Sequence, residues 1–225
     1  MTSARLPPHC RLVNIGTHSL ALYTHGPEPS SPNDPVALFI SGVASDALNW
    51  QAVVRQLSPS LRSYTYDRSG YNNSELSPLA PTAENVVIEL LLLIEKATIV
   101  NPLILVGHSW AGVLIHEFIA LEGIAQIAGL VLVDANYETA PQVLNVNDPI
   151  LWTMAAGWAA FRAVESTDKY RAIAQKEDEQ YFSSFETLRR KELVNSQPLL
   201  GDKSVFMIGG MRSRNWSGLY EAGVT

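Results

Sequence analysis

Three unbroken apolar runs punctuate the first two thirds of the chain: Val36-Ala37-Leu38-Phe39-Ile40, Leu103-Ile104-Leu105-Val106 and Leu130-Val131-Leu132-Val133. They stop at Ser41-Gly42, Gly107 and Asp134 respectively. A run without polar alternation suits a strand buried on both faces, as in the middle of a parallel sheet. Between these runs the apolar positions fall at helical spacing. In residues 82–97, Val86, Leu90, Leu93 and Ala97 line one stripe, and Val87, Leu91 and Ile94 widen it. Thr82 follows Pro81 and is placed to cap this helix, with Glu84 in its first turn. Trp50, Val53, Val54 and Leu57 predict a shorter helix over 49–57, and another is predicted over 110–121. Residues 62–66, Arg-Ser-Tyr-Thr-Tyr, predict a strand. Upstream, residues 10–15 and 19–24 predict a hairpin around Gly16, and four prolines within 27–35 predict a loop. Strand and helix therefore alternate, which predicts an α/β fold with a mostly parallel sheet and crossover helices.

After Asp134 the pattern changes. Residues 148–163 are apolar and rich in tryptophan and alanine, with Trp152, Met154, Trp158 and Phe161, while 165–192 are densely charged. Together they predict two or three helices, one half-buried and the others solvated. Val205-Phe206-Met207-Ile208, ahead of Gly209-Gly210, predicts a strand that rejoins the sheet. A helical segment inserted between two strands predicts a cap over the sheet's carboxyl edge, where α/β proteins bind ligands. The expected divisions are a core over 1–135, a helical cap over 136–198, and a returning strand with the start of a helix over 199–225. No internal repeat or low-complexity tract is visible.

Composition narrows the class. The chain has 225 residues, enough for one ordinary domain, and 47% of them are hydrophobic. Only 17% are charged, which excludes a disordered, highly charged chain. The net charge of −6 excludes a nucleic-acid binder working through bulk positive charge. The single cysteine, Cys10, excludes a disulfide framework and fits a reducing compartment. Met1 to Pro8 contain no apolar segment of the kind that opens a secretory signal. No apolar run reaches the ~18–20 residues that span a membrane. The expectation is a cytoplasmic domain. No metal-ligand spacing and no phosphate-binding glycine loop appears, so no cofactor is expected.

The most informative segment is Gly107-His108-Ser109-Trp110-Ala111-Gly112, which follows a predicted buried strand and precedes a predicted helix. In that context a G-x-S-x-G signature marks a tight turn that lifts the serine hydroxyl above the sheet edge. Ala111 stands where the second glycine is usual, and Gly112 follows it. The bland alternative is an ordinary turn serine or helix cap, and the strand–turn–helix context weighs against it.

At this point the chain resembles the α/β-hydrolase fold superfamily, in its serine-hydrolase branch with helical caps. Ile40-Ser41-Gly42-Val43 is similar to that family's His-Gly ahead of an oxyanion loop, with Ser41 in place of histidine. Tyr66-Asp67-Arg68-Ser69-Gly70-Tyr71 through Ser74 is similar to its Asp-Arg-x-Gly-x-Gly-x-Ser turn. Leu105 to Ser109 resemble its nucleophile elbow, and Gly129 to Asp134 its next strand. The resemblance covers residues 10–135 well and 203–223 more weakly.

The resemblance implies Ser109 as nucleophile, with the backbone N–H groups of Trp110 and Val43 as the oxyanion hole. Gly42, Gly107, His108, Ala111 and Gly112 would support the motif. A serine at this position implies acyl transfer to or from an ester, thioester, lactone or amide. Asp134 is the best candidate for the triad acid, since Gly209 to Asn215 contain no carboxylate. Its bland alternative is a structural acid that caps a turn. Asp67 and Arg68 read better as a structural turn pair. Trp152, Trp158 and Phe161 would line an apolar pocket under the cap, which implies an apolar small molecule as substrate or ligand. The stretch Leu151 to Phe161 also reads as a surface for a homo-oligomer through the cap.

The base is the difficulty. The five histidines are His9, His18, His25, His108 and His116, and none lies in 117–225. The first three belong to the N-terminal hairpin, the elbow is expected to aim His108 elsewhere, and His116 sits about 10 Å along the helix axis. The family carries its histidine after a final strand. The expectation is thus a C-terminally incomplete member, lacking the last strand and helix and with them a complete triad. The alternative is a catalytically inactive member that binds a small molecule or a partner.

Overall fold

The structure is a computed structural model that describes residues 6–143, 168–193 and 199–210. The expected Trp152, Trp158 and Phe161 lining, and the expected helix start over 216–223, lie outside the described residues. Strands β1 (Cys10–Asn14) and β2 (Ser19–His25) form the anticipated antiparallel hairpin. Strand β3 (Val36–Ile40) is buried along its whole length. A 3-10 turn (Ala47–Trp50) opens helix α1 (Gln51–Leu57), because Asp46 accepts from Leu48 N and starts the turn before the periodic stripe begins. Then come β4 (Ser63–Tyr66), α2 (Ala83–Lys96), β5 (Leu103–His108), α3 (Ala111–Glu122) and β6 (Ile127–Val133). A short helix α4 (Ala140–Val143), a long helix α5 (Asp168–Arg189) and strand β7 (Ser204–Ile208) complete the described elements.

The strands form one sheet in the order β1-β2-β4-β3-β5-β6-β7. β1, β2 and β4 are joined antiparallel, and from β4 through β3, β5, β6 and β7 every pairing is parallel. Alternation along the central strands divides their side chains between two cores. Val36, Leu38 and Ile40 of β3 face one core with Leu90 and Leu93 of α2 and Leu114 and Phe118 of α3. Ala37 and Phe39 face the other with Trp50, Val54 of α1 and Val106. Covering both faces is why these strands carry no polar positions.

Chain order reverses around β3: the connection to β4 runs to one side, and β5 lies on the other. Loops leaving such a switch point diverge and open a crevice at the strands' carboxyl ends. Ile40 pairs with Gly107, so Ser41-Gly42 and His108-Ser109 emerge side by side at that edge.

The charged stretch departs from expectation. Its described part carries one long helix, α5, and that helix is not simply solvated. Ile173, Ala174, Glu177, Ser184, Phe185 and Leu188 of α5 are buried, at spacings of three, four and seven residues. The stripe was hidden because two of its members, Glu177 and Ser184, are polar.

Candidate active site

Ser109 occupies the turn between β5 and α3 with φ of +55°, a left-handed conformation unfavourable for a side chain with a Cβ. Backbone hydrogen bonds hold it there. Ser109 N donates to Val133 O at 3.2 Å, and Asn136 N donates to Ser109 O at 2.8 Å. The turn is thus clamped to the end of β6 and to the loop that follows. Asp134, also at positive φ (+44°), is fastened in turn by donating its N–H to Ile208 O of β7 at 2.7 Å.

Close approach explains the small residues of the motif. A Cβ on Gly107 would lie 2.6 Å from Ile115 Cδ1 and 3.1 Å from Ala111 Cβ. A Cβ on Gly112 would overlap the carbonyl of Asn136. Ala111 itself is fully buried without conflict, so its methyl fits and the strict glycine requirement falls one position later, on Gly112.

A cleft of about 670 Å³ opens over this turn, lined by Ser41, Gly42, Val43, Ala44, Trp50, Val53, His108, Ser109, Val133 and Tyr170, among others. Gly42 lies against the serine: a Cβ there would come 3.1 Å from Ser109 Cβ and 3.4 Å from His108 Nδ1. Among the described residues no acceptor takes the N–H of Val43 or of Trp110. Trp110 is fully buried, and its indole N–H donates to Ser184 Oγ of α5 at 2.9 Å.

The histidines are placed by the sheet. His18 is buried and bonds Ser69 Oγ at 2.5 Å, and His25 lies 3.3 Å from Thr65 Oγ1. Two strands, β4 and β3, separate β2 from β5. His116 bonds the carbonyl of Gly112 in its own helix at 2.7 Å. His108 was expected to point elsewhere, yet it lines the same cleft as Ser109, because the positive φ of Ser109 breaks the strand's alternation. Burial holds its pKa below the ordinary 6.5, and the nearby Asp134 carboxylate partly offsets this. None of the five histidines hydrogen-bonds Ser109.

Asp67 and Arg68 do not pair with each other. Asp67 accepts from Tyr23 Oη at 2.6 Å and Asn72 Nδ2 at 3.1 Å, and burial still pushes its pKa up. Arg68 is buried and donates to Glu177 of α5, from Nε at 2.6 Å and from Nη2 at 2.8 Å. It also donates to the carbonyls of Ser41 and Gly42, each at 2.8 Å, and Ser45 at 3.0 Å. Glu177 takes two further donors, Tyr71 Oη at 2.8 Å and Ala44 N at 2.9 Å. Burial pulls the Arg68 pKa down, but the charge of Glu177 and its hydrogen bonds, with smaller help from Tyr71 and Tyr66, together raise it above its ordinary value, and that of Tyr71 rises through burial and the same carboxylate. Sequence reasoning missed Glu177 entirely. Its flanking residues Lys176, Asp178 and Glu179 carry the same solvated texture, and its partner stands 109 positions away.

These features define a parallel α/β sheet with a strained serine turn at its carboxyl edge. The sequence matches the alpha/beta hydrolase family profile over residues 37–221, and the chain belongs to that family. An AB hydrolase superfamily protein of Gibberella zeae is 31% identical over 175 residues, which span 75% of this chain and 51% of that protein. A Hormonema carpetanum protein named "Probable transporter efuK" is 38% identical over 144 residues, 63% of this chain but 20% of that protein. The chain thus spans about half the length of one curated relative and a fifth of the other. Among solved structures, Cfl2 from Burkholderia cenocepacia superposes with a TM-score of 0.65 at 13% identity, covering 95% of both chains. Among the described residues no helix is long and apolar enough to cross a membrane.

Proposed function

We propose that this chain carries the acyl-transfer centre of a serine hydrolase, with Ser109 as nucleophile. The observation that carries the reading is the positive φ of Ser109 at a strand-to-helix turn, beside the Gly42-Val43 loop. Strain of this kind is kept only where the surrounding structure enforces it, and it is concentrated at functional sites. The Val43 and Trp110 amides supply the oxyanion donors, since both flank the serine and neither is taken by an acceptor among the described residues. Asp134 serves as the supporting acid: it follows β6 directly, next to Val133 of the cleft, and its charge acts on His108. The mixed lining of the cleft, with Val43, Trp50, Val53 and Val133 beside Ser41 and Asn49, favours an ester, thioester, lactone or amide of an apolar small molecule. Helix α5 serves as part of a cap over that cleft, through Tyr170.

A second reading is a small-molecule binding member of the same fold that does no chemistry. It is favoured by the observation that, among the described residues, no histidine is hydrogen-bonded to Ser109. An alkyl fluorophosphonate separates the two. Covalent labelling of the chain that disappears in Ser109→Ala supports the hydrolase. No labelling, together with saturable binding of an apolar ester by calorimetry, supports the binding protein and removes the first reading for this chain.

A further inference from the structure

We propose that Arg68 and Glu177 are positioning residues that together set the direction of the Val43 N–H, so that helix α5 is a working part of the oxyanion hole. The inference rests on the serine-hydrolase reading above and deepens it. The argument begins with the peptide bond. The Gly42 carbonyl and the Val43 N–H belong to one planar unit and point in opposite directions. Arg68 Nη2 holds that carbonyl at 2.8 Å, and so fixes the direction of the N–H on its far side. The next peptide unit is held as well. Ala44 N donates to Glu177 Oε2 at 2.9 Å, and the unit after that is held by Tyr170 Oη, which donates to Ala44 O at 2.9 Å.

Both units flanking Val43 are therefore gripped, one by Arg68 and the other by Glu177. The two grips are joined, because Arg68 and Glu177 share two hydrogen bonds and are 3% and 1% exposed. Ala44 sits at φ of +52°, an unfavourable conformation that the loop would relax if released. The other amide is braced from the same helix, by Trp110 Nε1 donating to Ser184 Oγ. A cation on the Gly42 carbonyl also polarises the peptide unit and strengthens its N–H as a donor. The pair touches no reacting atom. It acts through the backbone, where a charge that develops only in the transition state needs donors fixed in advance.

The test uses the full chain and reads two quantities. The first is amide exchange at Ala44 and its neighbours by NMR; the second is the rate of labelling by an alkyl fluorophosphonate, split into binding and reaction steps. Glu177→Gln keeps the shape but leaves Arg68 without its counter-charge. The double variant Arg68→Met with Glu177→Leu removes the pair without burying a lone charge, which guards against a variant that fails to fold. In both, Ala44 exchange is expected to rise about tenfold or more relative to the sheet amides. The reaction step is expected to slow about tenfold or more with the binding step unchanged, the mark of a contact made only in the transition state. Unchanged Ala44 exchange in both variants overturns the inference, whatever the labelling. Loosened exchange with an unaltered reaction step also overturns it, since the pair would then be scaffolding only. If the unmodified chain does not label while Ala44 exchange loosens as expected, the hydrolase reading fails and the positioning of the loop by this pair stands.

Discussion

Ser109 is the residue where sequence and structure agree most usefully. The motif and its strand-to-helix context single it out, and the backbone supplies the physical sign, a φ of +55°. That strain is measurable. Glycine has no Cβ to clash in this region, so Ser109→Gly should be more stable than Ser109→Ala by about 1 kcal/mol in urea unfolding. Equal stabilities would show a relaxed turn. Glu177 is the opposite case. Nothing local separates it from the charged residues beside it, and its meaning comes from Arg68, Tyr71 and Ala44, all more than 100 positions earlier. A sequence read by periodicity treats a glutamate on a charged helix as solvated, and only the fold shows which one is buried.

Among the elements, the elbow strand and its helix depend on how closely a third segment can approach. Gly112 meets the backbone of Asn136, in the loop after β6, with no room for a methyl. Gly112→Ala should therefore destabilise by about 2–4 kcal/mol, because the obstacle is backbone and cannot rotate away. Ala111→Gly, one position earlier, should cost only about 1 kcal/mol, the ordinary helix penalty. Thermal or chemical melts of the two variants check the contrast, and comparable losses would contradict it. The sequence pattern placed every described strand and most helices within a few residues. It failed on α5, where polar members interrupt the buried stripe and the helix reads as surface.

At the scale of the whole molecule, strand β7 is informative: among the described residues it pairs with β6 alone. β7 pairs with β6 along one edge, and Val205, Phe206, Met207 and Ile208 are 43%, 64%, 79% and 55% exposed. An apolar strand with an open edge tends to pair with others, and a charge on it blocks that. Met207→Lys should lower self-association of this chain, measured by light scattering across concentrations, with its thermal stability unchanged. Equal association in both would show that the edge is not where copies meet. The order of elements, the buried runs and the serine turn were determined by the sequence itself, because hydrophobic periodicity and turn chemistry act over a few residues. The tertiary structure decided that β3 and β5 lie side by side, so that the Gly42 loop meets the serine turn. It also decided that Arg68 and Glu177, 109 positions apart, form a buried ion pair that holds the Gly42 carbonyl. Such pairings join residues far apart in the chain, and burial, which gives them their strength, exists only once the chain has folded.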